Sequence, residues 1–205
     1  MSATTPALRL DAPELGLVVD LGPGEAHDLG ADGADAALLD ARVAWTSGAR
    51  GPWRPRRLIL EGRALGHRRS AARVRAGIVT VAPPVLAPEV SVRDHLAAAA
   101  PVGDVDALLA QVPRLAGRGA DPAGVLSGGE RQMVAWARAA LVGPRVVILD
   151  RAGTGLDDEA LAWAGERLAT WRTRGGVAVV RAGRSEEAAW SGASPPDGRA
   201  PGPRG

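Results

Sequence analysis

Residues 126–157 decide the fold, and they read LSGGERQMVAWARAALVGPRVVILDRAGTGLD. Ser127 is a good N-cap residue, and the two glycines after it let backbone amides approach an anion closely because they carry no Cβ. Apolar residues at helical spacing then predict a helix over 130–141, and the short apolar run 146–149 predicts a buried parallel strand. That strand ends on Asp150, at the edge where open α/β sheets bind ligands. The pattern predicts an α/β fold that handles a phosphate-bearing ligand.

The same stretch resembles the ATP-binding cassette (ABC) ATPases of transporters. LSGGE is similar to the family signature, VVILD to the Walker B strand and GTGLD to the D-loop. The matching residues are Leu126, Ser127, Gly128, Gly129 and Glu130 for the signature, Asp150 for Walker B, and Gly155, Leu156 and Asp157 for the D-loop. By order and spacing the resemblance extends over about residues 8–185. It implies a P-loop NTPase-like α/β cassette, with a mostly parallel sheet flanked by helices and a small helical subdomain.

The length of the chain predicts a single folded domain. A chain of 205 residues is long enough for one α/β domain with a core of its own. We expect a loose leader at residues 1–7 and one nucleotide-binding domain at 8–190, with its helical subdomain at about 88–140. The Pro/Gly-rich tail at 191–205 is expected to be disordered.

Composition limits where the protein acts. All 25 basic residues are arginine, the net charge is +2, and the absence of cysteine excludes disulfides and thiolate metal sites. No apolar run approaches the roughly 18 residues of a membrane span, and the N-terminus lacks an apolar signal core. We therefore expect a cytoplasmic protein without direct membrane insertion. It would reach the inner face of the cell membrane peripherally, through a permease.

The resemblance places a degenerate Walker A loop at residues 30–37. The motif needs glycines whose amides face phosphate, a lysine for the β/γ charge and a hydroxyl group for Mg²⁺. Two positions match and three differ: Gly30 and Gly33 remain, Asp35 replaces the second glycine, Ala36 the lysine and Ala37 the hydroxyl residue. The chain contains no lysine, so no other alignment supplies one. We expect no strong ATP binding in this loop, and an ordinary Asp/Gly-rich loop stays an alternative.

The residues that the family uses for hydrolysis also differ. Arg151 follows Asp150 where the family has a catalytic glutamate, and a guanidinium group does not accept a proton from water. Ala182 lies near the position of the switch histidine, and Pro83 or Pro84 lies at that of the Q-loop glutamine. Asp150 is left as a weak candidate ligand for Mg²⁺. We therefore expect an ABC-type chain that does not hydrolyse ATP alone.

The resemblance implies a function that uses the signature. ABC cassettes pair head to tail, so the signature of one subunit covers the nucleotide held by the other. Residues 126–130 would donate hydrogen bonds and a helix dipole to a partner's ATP, and Asp157 would help the D-loop cross the interface. We expect a degenerate subunit in a heterodimer with an intact cassette, with ATP and Mg²⁺ at the composite site and a membrane permease as a further partner. Residues 74–96 and 129–139 resemble cassettes of branched-chain amino-acid importers more than those of exporters.

Three alternatives stay open. The first is an active ABC ATPase with divergent motifs, and the second is a decaying paralogue without a function. The third is a nucleic-acid-binding protein, because arginines with an interleaved aromatic residue can contact phosphates and stack on bases. We expect these arginines to form a solvated surface instead, since the net charge is only +2. The stretch comprises Trp53, Arg54, Arg56, Arg57, Arg63, Arg68, Arg69, Arg73 and Arg75.

Overall fold

The computed structural model describes residues 7–48, 57–65, 70–99, 104–182 and 190. The expected tail and nearly all of the expected leader lie outside these ranges. The strands are β1 (Leu8–Ala12), β2 (Leu17–Leu21), β3 (Ala26–Asp28), β4 (Arg57–Leu60), β5 (Arg63–Ala64), β6 (Ile78–Val81), β7 (Val146–Asp150) and β8 (Val177–Arg181). The α-helices are α1 (Ala36–Ser47), α2 (Ser70–Arg75), α3 (Val92–Ala97), α4 (Val105–Leu109), α5 (Gly128–Val142) and α6 (Asp158–Thr173).

A parallel sheet with the strand order β3-β8-β7-β6 positions the loops that contain the predicted site residues. Its inner strands, β7 and β8, are buried at every residue, as their unbroken apolar runs predict. Side chains of β7 alternate between the two faces, so Val146 and Ile148 lie in one core, and Val147 and Leu149 lie in another. The carboxyl ends of parallel strands meet at one edge of the sheet, where ligands bind in such folds. The predicted α/β fold class is confirmed.

A second, antiparallel sheet has the strand order β2-β1-β4-β5. Its strand β1 alternates between buried and half-buried residues, the pattern of a strand with one face on a core. Leu8 and Leu10 of this strand share that core with Trp45 of α1 and with Ile148 of β7. The first core is thus formed by both sheets and α1. The antiparallel sheet is an addition to the mostly parallel architecture that the sequence predicts.

Helices α5 and α6 cover the other face of the parallel sheet. Met133 of α5 and Leu168 of α6 are buried in this second core. Trp136 stacks on Trp171 with 6.0 Å between ring centroids, and Trp190 meets Trp136 edge-on at 5.5 Å. Burial of aromatic rings of this size contributes much of the energy that keeps the two helices on the sheet.

The short helices α3 and α4 pack against α5. Ser91 caps α3 by accepting a hydrogen bond from the Asp94 amide at 3.1 Å. These helices lie within residues 88–140, the range predicted for a helical subdomain, and its independence as a unit stays a prediction. In the described part of the chain, no helix has the length and apolarity that crossing a membrane requires.

Arg73 corrects the prediction of a solvated arginine surface. It is buried, and its guanidinium group donates to the backbone carbonyls of Trp45 and Thr46 at the end of α1. A cation is favourable there because the last carbonyls of a helix lack partners within the helix. Burial lowers the pKa of Arg73 to about 10. Arg57, Arg63 and Arg75 are exposed, while Trp53, Arg54, Arg56, Arg68 and Arg69 lie outside the described residues.

Candidate functional site

A capping box builds the predicted signature turn at the start of α5. The Ser127 hydroxyl accepts a hydrogen bond from the Glu130 amide at 3.2 Å, and the Glu130 carboxylate accepts one from the Ser127 amide at 2.8 Å. These bonds satisfy amides that the start of a helix leaves without partners. The Ser127 amide lowers the pKa of Glu130, and the ion pair with Arg118 lowers it further. Leu126 is buried, whereas Ser127 and Gly128 are exposed, so the turn faces solvent.

Helix α5 is fixed to the loop that follows β7. Gly129 packs so closely on this loop that a Cβ built on it would lie 2.3 Å from the Gly155 carbonyl oxygen. Gln132 and Trp136 lie one and two turns after Gly129 on α5. Their side-chain N–H groups each donate to the Ala152 carbonyl at 2.9 Å. The predicted signature and D-loop are therefore joined to each other by backbone packing and by buried hydrogen bonds.

Substituting Gly129 with alanine is expected to lower the free energy of unfolding by about 2 kcal/mol, because the new methyl group meets a backbone oxygen. Gly128 is the matched control, since a Cβ there meets nothing within 4 Å. Gly128→Ala should leave stability unchanged or raise it slightly, because alanine favours a helix more than glycine does. Urea unfolding followed by tryptophan fluorescence measures both variants. Equal losses in the two would contradict the close packing of Gly129 on Gly155.

Asp157, at the end of the predicted D-loop, makes two contacts within the chain. It caps α6 by accepting from the Ala160 amide at 3.0 Å, and it accepts two hydrogen bonds from the Arg114 guanidinium group at 2.6 and 3.0 Å. The Ala160 amide lowers the pKa of Asp157 most, and Arg114 lowers it further. A cavity of about 190 Å³ lies beside this pair, and its lining includes Ser127, Gly129, Gly155 and Leu156. A role of Asp157 at a subunit interface stays a prediction.

Carboxylates in and just before the predicted Walker A loop accept hydrogen bonds from backbone amides in and just after it. Three side chains accept hydrogen bonds in this way: Asp28 from the Gly30 amide at 2.9 Å, Asp32 from the Ala34 amide at 3.2 Å and Asp35 from the Leu38 amide at 2.8 Å. Asp35 is thereby the N-cap of α1, which begins with Ala36 and Ala37. Gly33 has a φ of 76°, a conformation that favours glycine. Two amides of the loop, those of Gly30 and Ala34, are therefore already bonded to carboxylates.

A buried arginine keeps this loop in place. Arg42 of α1 is 2% exposed, and it forms an ion pair with Asp32 at 2.6 Å. The same guanidinium group donates to the backbone carbonyls of Leu15, Gly16 and Leu29. It thus satisfies three backbone acceptors and one carboxylate. Sequence reasoning missed Arg42, since nothing near it in the sequence distinguishes it from the many other arginines.

The ion pair between Arg42 and Asp32 is expected to make stability depend on pH. Hydrogen bonding to Arg42 lowers the pKa of Asp32 from 3.8 to about 2. A carboxyl group with a lowered pKa stabilises the folded state above its unfolded pKa, and this contribution is lost as the pH falls through the folded pKa. Wild-type protein and Asp32→Asn should therefore differ in urea midpoint above about pH 4 and converge between about pH 4 and pH 2. A difference that stays constant across this window would contradict the assignment.

The carboxyl ends of β7 and β8 bring Asp150 next to two arginines. Asp150 and Arg181 are paired in register, and Arg181 Nη1 lies 3.5 Å from Asp150 Oδ1. Arg151 Nε lies 3.4 Å from the same oxygen, and the Arg151 backbone is left-handed with a φ of 49°. Arg181 also pairs with Asp40 of α1, and Ala182 follows it, half-buried, at the end of β8. The predicted Walker B aspartate therefore faces guanidinium groups.

These contacts divide the predicted site residues into two groups. The signature and D-loop residues form one group through α5 and the loop 151–157. Residues 28–42 form the other, which Arg181 connects to Asp150. The first group presents backbone amides and a hydroxyl to solvent, whereas the second pairs its charged groups with one another. The part that each residue plays in nucleotide chemistry stays a prediction.

An apolar groove of about 560 Å³ lies along β6 and the loop that follows it. Pro83 and Pro84 are part of its lining, and one or the other lies at the position of the Q-loop glutamine in the resemblance. Val85 in the same loop is 99% exposed. Other lining residues are Val74, Val79, Ala98, Ala135 and Arg138. The groove therefore presents apolar surface next to the loop that follows β6, where the resemblance places the Q-loop.

Comparisons with known proteins agree with this architecture. The family model of the ABC transporter matches residues 54–153, a range that includes the signature and Asp150 but not the loop at 30–37. No curated protein matches the chain in sequence. The solved ATP-binding subunit of an ABC transporter is 21% identical, with a TM-score of 0.64, and the match covers 81% of this chain and 71% of that one.

Two further solved structures are similar. The ADP conformation of MJ1267, an ATP-binding cassette of an ABC transporter, is 14% identical with a TM-score of 0.66, covering 91% of this chain and 85% of that one. A bacterial Atm1-family ABC exporter with ATP bound is 20% identical with a TM-score of 0.65, covering 90% of this chain and 36% of that one. At these identities the structures establish the fold, and the family model adds a sequence match over residues 54–153. Residues 54–153 belong to the ABC transporter family, in a chain with the fold of its ATP-binding cassettes.

Proposed function

We propose that this ABC-type cassette is a degenerate subunit that pairs with an intact cassette and supplies its LSGGE signature to the partner's ATP. The partner would hold ATP and Mg²⁺ on its own Walker A loop and provide the hydrolytic residues. One observation motivates the proposal. The signature turn is open to solvent, whereas carboxylates already accept hydrogen bonds from two amides of the chain's own loop at 30–37, those of Gly30 and Ala34, and from the Leu38 amide just after it.

The chemistry of the signature turn supports a contact with phosphate. The Ser127 hydroxyl and the amides of Gly128 and Gly129 lie at the N-terminus of a helix of 15 residues, where the helix dipole favours an anion. The one carboxylate of the turn, Glu130, is bonded to the Ser127 amide and paired with Arg118. Its negative charge is therefore compensated within the chain.

The charge of the chain's own loop supports the loss of ATP binding there. A triphosphate would have to displace Asp28, Asp32 and Asp35 from amides that they already satisfy, and it would be repelled by their charge. Ala36, where the family has a lysine, offers no compensating cation. Hydrolysis in this loop is therefore not part of the proposed function.

The groove beside β6 supports coupling to a permease. Exposed apolar surface of this kind marks contact sites, and an amphipathic helix is a partner that fits such a groove. This contact would hold the chain at the cytoplasmic face of the membrane as a peripheral subunit. The likeness of residues 74–96 and 129–139 to branched-chain amino-acid importers suggests that the transported substrates are branched-chain amino acids. Uptake of these amino acids by cells with and without the gene tests this assignment.

Reconstitution of ATP hydrolysis tests the proposed pairing. The assay compares this chain alone, an intact ABC cassette from the same organism alone, and the two mixed. We expect no hydrolysis by this chain, and at least about tenfold faster hydrolysis by the mixture than by the partner, because the signature completes the partner's site. A mixture no faster than the partner alone would reject the pairing. Hydrolysis by this chain alone would favour the active ABC ATPase.

A further inference from the structure

The residues around Asp150 form a small network of alternating charges. Asp150 ends β7, Arg181 ends β8 and Asp40 lies on the first turns of α1, so the network connects three elements. Arg181 lies between the two carboxylates, and its side chain is only 10% exposed. Arg151 adds a second guanidinium group on the other side of Asp150, and its amide donates to the Arg181 carbonyl at 2.9 Å.

The fold family implies that Asp150 would help to hold Mg²⁺, and the network argues against this. Two carboxylates and two guanidinium groups are neutral together, so a divalent cation would leave two positive charges unbalanced beside the groups of Arg151 and Arg181. Mg²⁺ also requires near-octahedral oxygen ligands, and Ala37 provides no hydroxyl group. Across the described ranges, no group of three or more histidines or carboxylates could hold a metal ion.

Asp150 Oδ1 is a buried atom without a hydrogen bond, which by itself would favour a cation at this place. The two guanidinium groups, at 3.4 and 3.5 Å, already supply that positive charge. They lie at ion-pair distance and not in hydrogen-bonding geometry, so their effect on this oxygen is electrostatic. The need of the carboxylate for a cation is therefore met from within the chain.

We propose that the guanidinium group of Arg181 takes the place of the divalent cation in this cassette. It connects α1 to the ends of β7 and β8, so the site keeps its arrangement without metal or nucleotide. This inference rests on the proposed function, in which the chain's own site does not bind ATP, and it identifies the residue that stabilises this site.

Thermal unfolding of the isolated chain with and without MnCl2 tests this inference. Mn²⁺ serves as the probe because it prefers the same oxygen ligands as Mg²⁺. The wild-type Tm should be the same with and without millimolar MnCl2. In Arg181→Ala the Tm should fall by about 5 °C, since Asp40 and Asp150 lose their shared cation. MnCl2 should then raise the Tm of this variant by about 3 °C, because a bound cation stabilises the folded state.

Two further variants complete the experiment. Arg145 is the matched control, because it forms an exposed ion pair with Glu61 at 2.6 Å, and Arg145→Ala should shift the Tm by no more than about 1 °C. Arg181→Lys keeps a positive charge, so it should lose less stability than Arg181→Ala and should not respond to MnCl2. It also keeps the test decisive if Arg181→Ala fails to fold.

Three results would overturn the inference: a rise of the wild-type Tm with MnCl2, a loss of Tm in Arg181→Ala no larger than in the Arg145→Ala control, or a folded Arg181→Ala variant whose Tm does not rise with MnCl2. The measurements use the chain without a partner. A failed reconstitution of ATP hydrolysis would therefore reject the pairing and leave the Tm measurements unaffected. Tm measurements that contradict the role of Arg181 would likewise leave the pairing untouched.

Discussion

Substituting Ser127 with aspartate is expected to lower the rate of ATP hydrolysis by the mixture of this chain and its partner by about 100-fold. The variant chain should stay folded. Aspartate is as good an N-cap as serine, so it should still accept the hydrogen bond from the Glu130 amide. The negative charge of the new carboxylate would lie at the N-terminus of α5, where the phosphate of the partner's ATP is proposed to bind, and would repel it. The variant thus separates phosphate binding from helix capping. Steady-state ATP hydrolysis by the mixed cassettes measures the effect.

The matched control is the same substitution at another N-cap. Ser91 caps α3 through the Asp94 amide, as Ser127 caps α5 through the Glu130 amide. Ser91→Asp should leave the restored activity unchanged, and Ser127→Thr should keep most of it because threonine also caps and offers a hydroxyl group. If Ser127→Asp and Ser91→Asp reduced activity equally, or neither did so, the signature would have no role at a partner's nucleotide.

Substituting Arg42 with alanine is expected to lower the free energy of unfolding by about 3 kcal/mol, the largest stability loss that we predict for a single side chain. The reason is the number of groups left without a partner. The carbonyls of Leu15 and Leu29 belong to buried residues, and Asp32 would lose the cation that holds the loop 28–35. Urea unfolding followed by tryptophan fluorescence gives the value.

An exposed ion pair provides the comparison for this loss. Arg9 and Asp20 pair at 3.1 Å with side chains that are 42% and 51% exposed, so Arg9→Ala should change stability by no more than about 0.5 kcal/mol. Arg42→Lys should recover only part of the loss, because an ammonium group lacks the fork geometry that contacts several acceptors at once. A loss below about 1 kcal/mol in Arg42→Ala would mean that water satisfies these carbonyls as well as the guanidinium group does.

The C-terminal half of the fold was predictable because its signals are local. A serine followed by two glycines and a glutamate predicts a capped helix, and the apolar run VVIL predicts a buried strand, wherever the rest of the chain lies. The structure has α5 and β7 at these places. The family resemblance depends on the same residues and is confirmed by the match at 54–153.

The loop at 30–37 shows what the sequence could not reveal. Three of its motif residues are replaced, but the sequence does not show which groups contact the backbone amides instead. Asp28 and Asp32 act on amides of the loop itself, whereas Arg42 reaches Leu15, 27 positions away in the chain. Contacts over such a separation depend on the packing of α1 against both sheets. The composition also made Arg42 hard to single out in the sequence, because the chain has 25 arginines and no lysine.

Because Gly129 packs on the Gly155 backbone, selection for a folded chain is enough to retain it, whether or not a partner exists. Leu126 is retained for the same reason, since it is buried. Ser127 and Gly128 are under no such constraint, because other capping residues suit the first position and open space surrounds the second. A chain that is selected only for folding would therefore keep Leu126 and Gly129 and change at positions 127 and 128. Comparison of these two positions among close relatives distinguishes a signature that is kept for a partner from one that is kept for folding alone.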